Sequence, residues 1–363
     1  MAIKIDVREL YEILDFTPPE QNIMLMGKHG IGKSRIISDY FEAKKMKVVP
    51  FFLGQMSDPG DLIGLMFKDE KTGHSDFLPP YWWPTNNKPI VLFLDELNRA
   101  RPEILQSVMD LTLNKTLAGK KLPEGSIIIS AVNEGEEYQL TDLDPALVSR
   151  FNIYEFAPTA EDWLLWANKV KLDKRLIEFI QKHKHLLDGD ENTAAYQDGF
   201  FNSLNKSPDR RAWERVAKLI SPLKNIEDIH LKAIAGIVGM QAAMAFRKSL
   251  TEFSKLSPEE ILFDFETSKA ALKKLKVTEL VYLNEQIVYY INNESYQKTK
   301  KKEMLVNLNL YLKELKKIKM NEVLAHFASM LENPKFDKAS AVILVDSPDI
   351  MITIEDFIGG INI

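Results

Sequence analysis

Between residues 1 and 157 the apolar positions fall in short, nearly unbroken runs: 23–26 (IMLM), 47–53 (KVVPFFL, with Pro50 as an irregularity), 90–94 (IVLFL), 127–132 (IIISAV) and 153–156 (IYEF). Runs of this length, separated by helix-length segments, predict strands of a mostly parallel sheet that is covered on both faces. After Pro158 the period changes. From Glu161 to about Glu332 the chain is nearly all amphipathic helix, as in 162–167 (DWLLWA), 172–185, 210–220, 229–253 and 298–318, with Pro158, Pro208, Pro222 and Pro258 as punctuation. The final stretch, 341–363, carries a β-like VILV and a β-branched MITI, and is expected to form a short strand pair or a docked tail. No internal repeat or low-complexity segment is visible.

Composition narrows the class. A chain of 363 residues suggests two domains. With 45% hydrophobic and 27% charged residues it has ample apolar side chains for a core. A formal charge of −5 disfavours a dedicated nucleic-acid binder, which carries a basic face. The absence of cysteine excludes disulfides and thiolate metal sites. The opening MAIKIDVREL alternates charged and apolar residues and has no hydrophobic signal core. The longest apolar stretch, 233–246, is interrupted by Gln241 and falls short of the ~20 residues a bilayer requires. A soluble cytoplasmic protein is expected.

Chemistry enters at the end of the first run. Gly27-Lys28-His29-Gly30-Ile31-Gly32-Lys33-Ser34 is a glycine, four residues, then Gly-Lys-Ser, and Arg35 continues into a helical pattern. An apolar strand before it and a helix after it are the context this phosphate-binding motif needs. Glycines let backbone N–H groups close around phosphate oxygens, and the helix N-terminus adds partial positive charge. Lys33 would reach the β- and γ-phosphates of ATP, and Ser34 would offer its hydroxyl to Mg2+.

About 60 residues later IVLFL runs into Asp95-Glu96. In open α/β sheets ligands bind at the C-terminal ends of the strands, where these carboxylates emerge. Asp95 would hold Mg2+, directly or through water, and Glu96 would orient and polarise the attacking water.

Four further stretches narrow the family: 97–103 (LNRARPE), Asn133 in ISAVNEGEEY, 143–151 (LDPALVSRF) and 207–214 (SPDRRAWE). With 55–64 (QMSDPGDLIG) and 162–167, they resemble the AAA+ ATPases and, within them, the MoxR family. The resemblance covers roughly residues 5–250. It implies an α/β AAA+ P-loop NTPase domain at 1–157, with a parallel five-stranded sheet in the order 5-1-4-3-2. An all-α lid (158–255) and a helical C-terminal extension (256–363) would follow. It also implies hairpin inserts at about 65–78 and 113–122, where alternation surrounds Lys71-Thr72-Gly73 and Ala118-Gly119. Asn133 matches the first sensor, whose neutral amide can bond the attacking water or the γ-phosphate. Arg150 matches the arginine finger, supplied to a neighbouring subunit's site. Arg211 matches the second sensor, with adjacent Arg210 as the alternative. His29 stands where the family usually has proline.

The activity implied is hydrolysis of ATP to ADP and phosphate by a ring homo-oligomer, a hexamer on family precedent. The ring would remodel or mature a partner protein bearing a von Willebrand factor A domain. A nucleic-acid motor and a nucleotide-gated scaffold with little turnover are the alternatives. Arg99 and Arg101 are candidates for the same subunit interface or for solvated positions, and Gln55 for restraining Glu96. Tyr81, Trp82 and Trp83 read as a packing cluster and 298–302 (KTKKK) as a solvated helix start. His183 and His185 lack a second pair of metal ligands.

Overall fold

The computed structural model describes residues 2–133, 143–189, 206–250 and 256–358. They divide into two compact units, Met1–Thr159 and Ala160–Ile363.

The strands of the first unit are β1 (Ile3–Ile5), β2 (Asn22–Gly27), β3 (Lys47–Phe52), β4 (Leu65–Lys68), β5 (Ser75–Leu78), β6 (Ile90–Asp95), β7 (Thr116–Leu117), β8 (Lys120–Lys121), β9 (Ile127–Asn133) and β10 (Phe151–Phe156). Its helices are α1 (Val7–Phe16), α2 (Lys33–Ala43), α3 (Gly60–Ile63), α4 (Pro102–Asn114) and α5 (Pro145–Val148). Six strands form one parallel sheet in the order β1-β10-β2-β9-β6-β3. The five apolar runs account for β10-β2-β9-β6-β3, which is the expected order 5-1-4-3-2. The sixth strand, β1, was hidden in the alternation of the N-terminus. It lies at the edge, with Ile5 buried, Ile3 68% exposed and Lys4 paired to Glu155 at 3.1 Å.

Burial on both faces explains the unbroken runs. Met24, Leu92, Leu94 and Ile128 pack with Ile104, Val108 and Leu111 of α4. Ile23, Leu25, Val91, Phe93 and Ile129 pack on the other face with α1 and α2, through Leu10, Ile37 and Phe41. Successive strand residues point to opposite faces, so the strands buried on both, β2, β6 and β9, are apolar almost throughout. Two antiparallel hairpins, β4–β5 and β7–β8, stand apart from the sheet. The second turns at Ala118 (φ 49°) and Gly119 (φ 77°), the left-handed pair that a two-residue hairpin requires. Of the aromatic trio, Trp82 is buried edge-on against Phe51, whereas Tyr81 is 93% exposed.

In the second unit the helices are α6 (Ala160–Lys169), α7 (Lys174–Lys182), α8 (Arg210–Ile220), α9 (Asp228–Val238), α10 (Met240–Ser249), α11 (Pro258–Phe263), α12 (Phe265–Leu272), α13 (Val277–Asn292), α14 (Lys301–Lys317), α15 (Asn321–Glu332), α16 (Asp337–Ser340) and α17 (Pro348–Ile358). One apolar cluster runs from Trp163 to Phe357 and includes helices on both sides of residue 255. Among the described residues beyond 341 there is no strand pair; residues 341–358 form the alternative, a docked tail, and it is helical. Residues Ala341–Val345 form a π-helical turn and MITI lies inside α17. Ile350, Thr353 and Phe357 are the buried positions, a helical spacing, and Thr353 Oγ1 donates to Asn309 Oδ1 of α14 at 2.8 Å. Packing on α14 overrides the β-branched propensity of the segment. Among the described residues no helix is long and apolar enough to cross a membrane.

Candidate nucleotide site

The chain leaves β2 at Gly27 and enters α2 at Lys33. A Cβ on Gly27 would lie 2.7 Å from the Phe156 carbonyl oxygen and 2.9 Å from Ile31 Cδ1, so the loop can pass only as glycine. Gly32, the residue before α2, has φ +101°, which an L side chain rarely adopts. Lys28 and His29 are exposed at the loop, and Gly30 and Ile31 are half-buried. Exposed Arg35 pairs with Asp39 one turn further along α2, at 2.9 Å.

Lys33 is only 5% exposed. Its Nζ donates to the carbonyl oxygens of Gly27 (2.7 Å) and Lys28 (3.0 Å) and to Asn133 Oδ1 (2.9 Å). Ser34 Oγ donates to Asp95 Oδ2 at 2.7 Å. The other oxygen of Asp95 accepts the Glu96 N–H at 3.0 Å. Lys33, Ser34, Asp95 and Asn133 thus meet at the C-terminal edge of β2, β6 and β9. The donor set fits Mg-ATP. A buried ammonium stands beside a backbone cradle, and a hydroxyl meets a carboxylate, the hard oxygen ligands a divalent cation takes alongside phosphate. Among the described residues no group of three or more acidic or histidine side chains is placed to hold a metal.

Glu96 ends its strand in the left-handed region (φ 57°), a conformation uncommon outside glycine. Its Oε1 is 3.0 Å from Arg99 Nη1, and both side chains are largely buried. A Cβ on Gly54 would come within 2.9 Å of Arg99 Cβ and 3.0 Å of Glu96 Oε2, so Gly54 makes room for the pair. Gln55, the expected restraint on Glu96, is exposed, and Arg99 is the group that holds the carboxylate. Asn98 also went unassigned in the sequence. It is 7% exposed, and its Nδ2 donates to the Asn133 carbonyl at 2.9 Å. The available signal was Asn98-Arg99 directly behind Asp95-Glu96.

Arg150 is not part of this constellation. It directly precedes β10, whose Phe151 pairs with Asn22 at the start of β2. Five residue steps of β2 separate that edge from Gly27, roughly 16 Å. Its Nη1 donates to the Met109 carbonyl of α4 at 2.7 Å. Arg210 and Arg211 belong to the second unit. Arg210 is 7% exposed and doubly bonded to Asp188, with Nη2 2.9 Å from Oδ2, whereas Arg211 is exposed.

Residues 22–151 match the family described as AAA domain (dynein-related subfamily). The first unit has the AAA+ P-loop NTPase fold. A candidate chaperone, BssE of Thauera aromatica, is 30% identical over 152 residues, 39% of this chain and 51% of that protein. The chain therefore spans about half the length of the curated relative it matches. Among solved structures, a candidate ATPase from Cytophaga hutchinsonii is 15% identical, over 80% of this chain and 74% of that one, with a TM-score of 0.32. The Thermotoga maritima RuvB Holliday junction branch migration motor is 12% identical, over 78% and 85%, with a TM-score of 0.34. Brucella abortus NtrX in complex with ADP is 14% identical, over 86% and 67%, with a TM-score of 0.37.

Proposed function

We propose that this protein is an ATP-hydrolysing AAA+ motor of the MoxR type. In this reading it works as a ring, a hexamer by family precedent, and remodels or matures a partner protein with a von Willebrand factor A domain. The meeting of Lys33, Ser34, Asp95 and Asn133 at one sheet edge carries the reading. Backbone N–H groups of residues 27–34 and Lys33 would bind the phosphates, and Ser34 and Asp95 would hold Mg2+. A cation held there would supply positive charge to offset that of the phosphates. Water attacks the γ-phosphorus in line, the bond to the β–γ bridging oxygen breaks, and Glu96 takes the water's proton. Asn133 orients that water or the γ-phosphate.

Arg150 fits a role in trans, because the sheet separates it from its own chain's phosphate loop. Bonded Arg210 leaves exposed Arg211 as the second-sensor candidate. The chaperone description of BssE supports a protein client, and the charge of −5 weighs against nucleic acid. The division of the helical part at residue 255 into lid and extension belongs to this same reading, as does a cytoplasmic location.

Subunit mixing tests it. Glu96→Gln and Arg150→Ala proteins should each be nearly inactive alone. Mixed, they should regain turnover, because the intact Arg150 of one chain completes the intact Glu96 site of the other. A full ATPase rate in a strictly monomeric sample would overturn the ring mechanism.

A further inference from the structure

The sheet contains a gap that one side chain closes. β6 and β9 pair from Val91↔Ile127 to Leu94↔Ser130, and Ser130 Oγ adds a last bond to the Leu94 carbonyl at 3.1 Å. Beyond that point β6 turns away through Asp95 and left-handed Glu96, while β9 continues beside β2 as far as Asn133, opposite Gly27. The end of β9 thus loses its β6 neighbour where the candidate sensor stands.

We infer that Asn98 is a positioning residue for this site, acting as a substitute strand that fixes Asn133 against the phosphate loop. The inference rests on the hydrolytic reading of the site and adds to it a residue that neither the motif nor the family match assigns. Asn98 lies in the 3-10 turn Leu97–Arg99, immediately behind Asp95 and Glu96. Its amide donates to the Asn133 carbonyl at 2.9 Å and faces the Asn133 N–H across 3.4 Å. One side chain therefore meets both main-chain groups of Asn133, as a neighbouring strand would. The link continues, because Asn133 Oδ1 accepts from Lys33 Nζ at 2.9 Å. Asn98, Asn133 and Lys33 form an unbroken line from the turn behind the carboxylates to the phosphate-binding lysine. All three side chains are at most 7% exposed, so water does not readily replace a lost member.

The chemistry selects an amide. Aspartate has the same shape but only accepts, and would set a carboxylate against the Asn133 carbonyl. Alanine does neither. Leu97 and Ala100 on either side are core residues, so the turn itself is held independently of Asn98.

The full-length protein carrying Asn98→Ala or the isosteric Asn98→Asp tests the inference by two readouts. Hydrogen–deuterium exchange over residues 127–133 needs no turnover. Exchange at the β9 end should rise by about tenfold in both variants, with the rest of the sheet unchanged. In steady-state ATP hydrolysis, kcat should fall by about 100-fold, since a small misplacement of a reacting group costs that much. KM for ATP should move less than about threefold, because phosphate binding is retained. Wild-type exchange at the β9 end in both variants would overturn the inference, as would a wild-type kcat in Asn98→Asp. If the wild-type protein hydrolyses no ATP, the proposed function fails, and exchange alone decides whether Asn98 holds Asn133.

Discussion

The two edges of the parallel sheet use buried polar side chains in opposite ways. At the C-terminal edge two bonds run from side chain to side chain, Lys33 to Asn133 and Ser34 to Asp95, beside the two main-chain carbonyls that Lys33 also reaches. At the N-terminal edge the donors end on main-chain carbonyls. Asn22 bonds the carbonyls of Thr112 (2.8 Å) and Arg150 (3.1 Å), Lys115 those of Pro19 (2.9 Å) and Ser126 (3.2 Å), and Arg150 that of Met109 (2.7 Å). These bonds tie the C-terminal end of α4 to the starts of the strands. Residue type does not separate the edges, since each has a lysine and an asparagine. The partners do. Carbonyl acceptors are satisfied and stay so, whereas the side-chain pairs of the C-terminal edge can part to admit a phosphate and a cation.

The contrast predicts that a lysine removed from each edge gives a different defect. Lys33→Ala should weaken ATP binding about 100-fold, the worth of about 3 kcal/mol of charge-assisted hydrogen bonds to phosphate. Its melting temperature should stay close to wild type. Calorimetric titration with ATP checks this, and unchanged affinity would erase the functional half of the comparison.

Lys115 should act on stability alone. Burial holds its ammonium down to about 8, against 10.5 for an ordinary lysine. Below about pH 8 it is charged in both folded and unfolded states, and the cost of burying the charge is fully present. As pH rises from about 8 towards 10.5 the folded protein sheds this proton first, so stability rises through that window. The gain is of order 1 kcal/mol per pKa unit. Urea denaturation across this range should show the rise in wild type and its loss in Lys115→Met, with ATP affinity unaltered. A Lys115→Met protein that keeps the slope would remove the structural half.

Much of this was legible in the sequence, for identifiable reasons. The five strands β10, β2, β9, β6 and β3 announced themselves by their apolar runs, most plainly in Ile90–Asp95, where a two-sided sheet leaves no polar position except the last. Lys33, Ser34 and Asp95 were legible because phosphate chemistry fixes residue type and spacing. β1 was not, since a three-residue edge strand buries one side chain and reads as ordinary alternation. Of the two readings of 341–358 the strand pair failed and the docked tail held, because β-branched residues favour strands only where a sheet accepts them, and here α14 offered a helix-packing surface. Asn98 stayed unassigned, and Arg99 was read as an interface or solvated residue, because their contacts depend on where β6 turns away from β9, a tertiary fact with no sequence period. The helical unit gave up its architecture but no chemistry, since amphipathic spacing specifies burial and not a partner.

The central claim is that the C-terminal edge binds and hydrolyses ATP through Glu96. Its most direct measurement is ATP affinity and single-turnover hydrolysis, with Mg2+, in wild type and Glu96→Gln side by side. Equal affinity is predicted, with hydrolysis slowed by at least about 100-fold in the variant. Hydrolysis at the wild-type rate in Glu96→Gln, or no ATP binding by the wild type, would contradict the account.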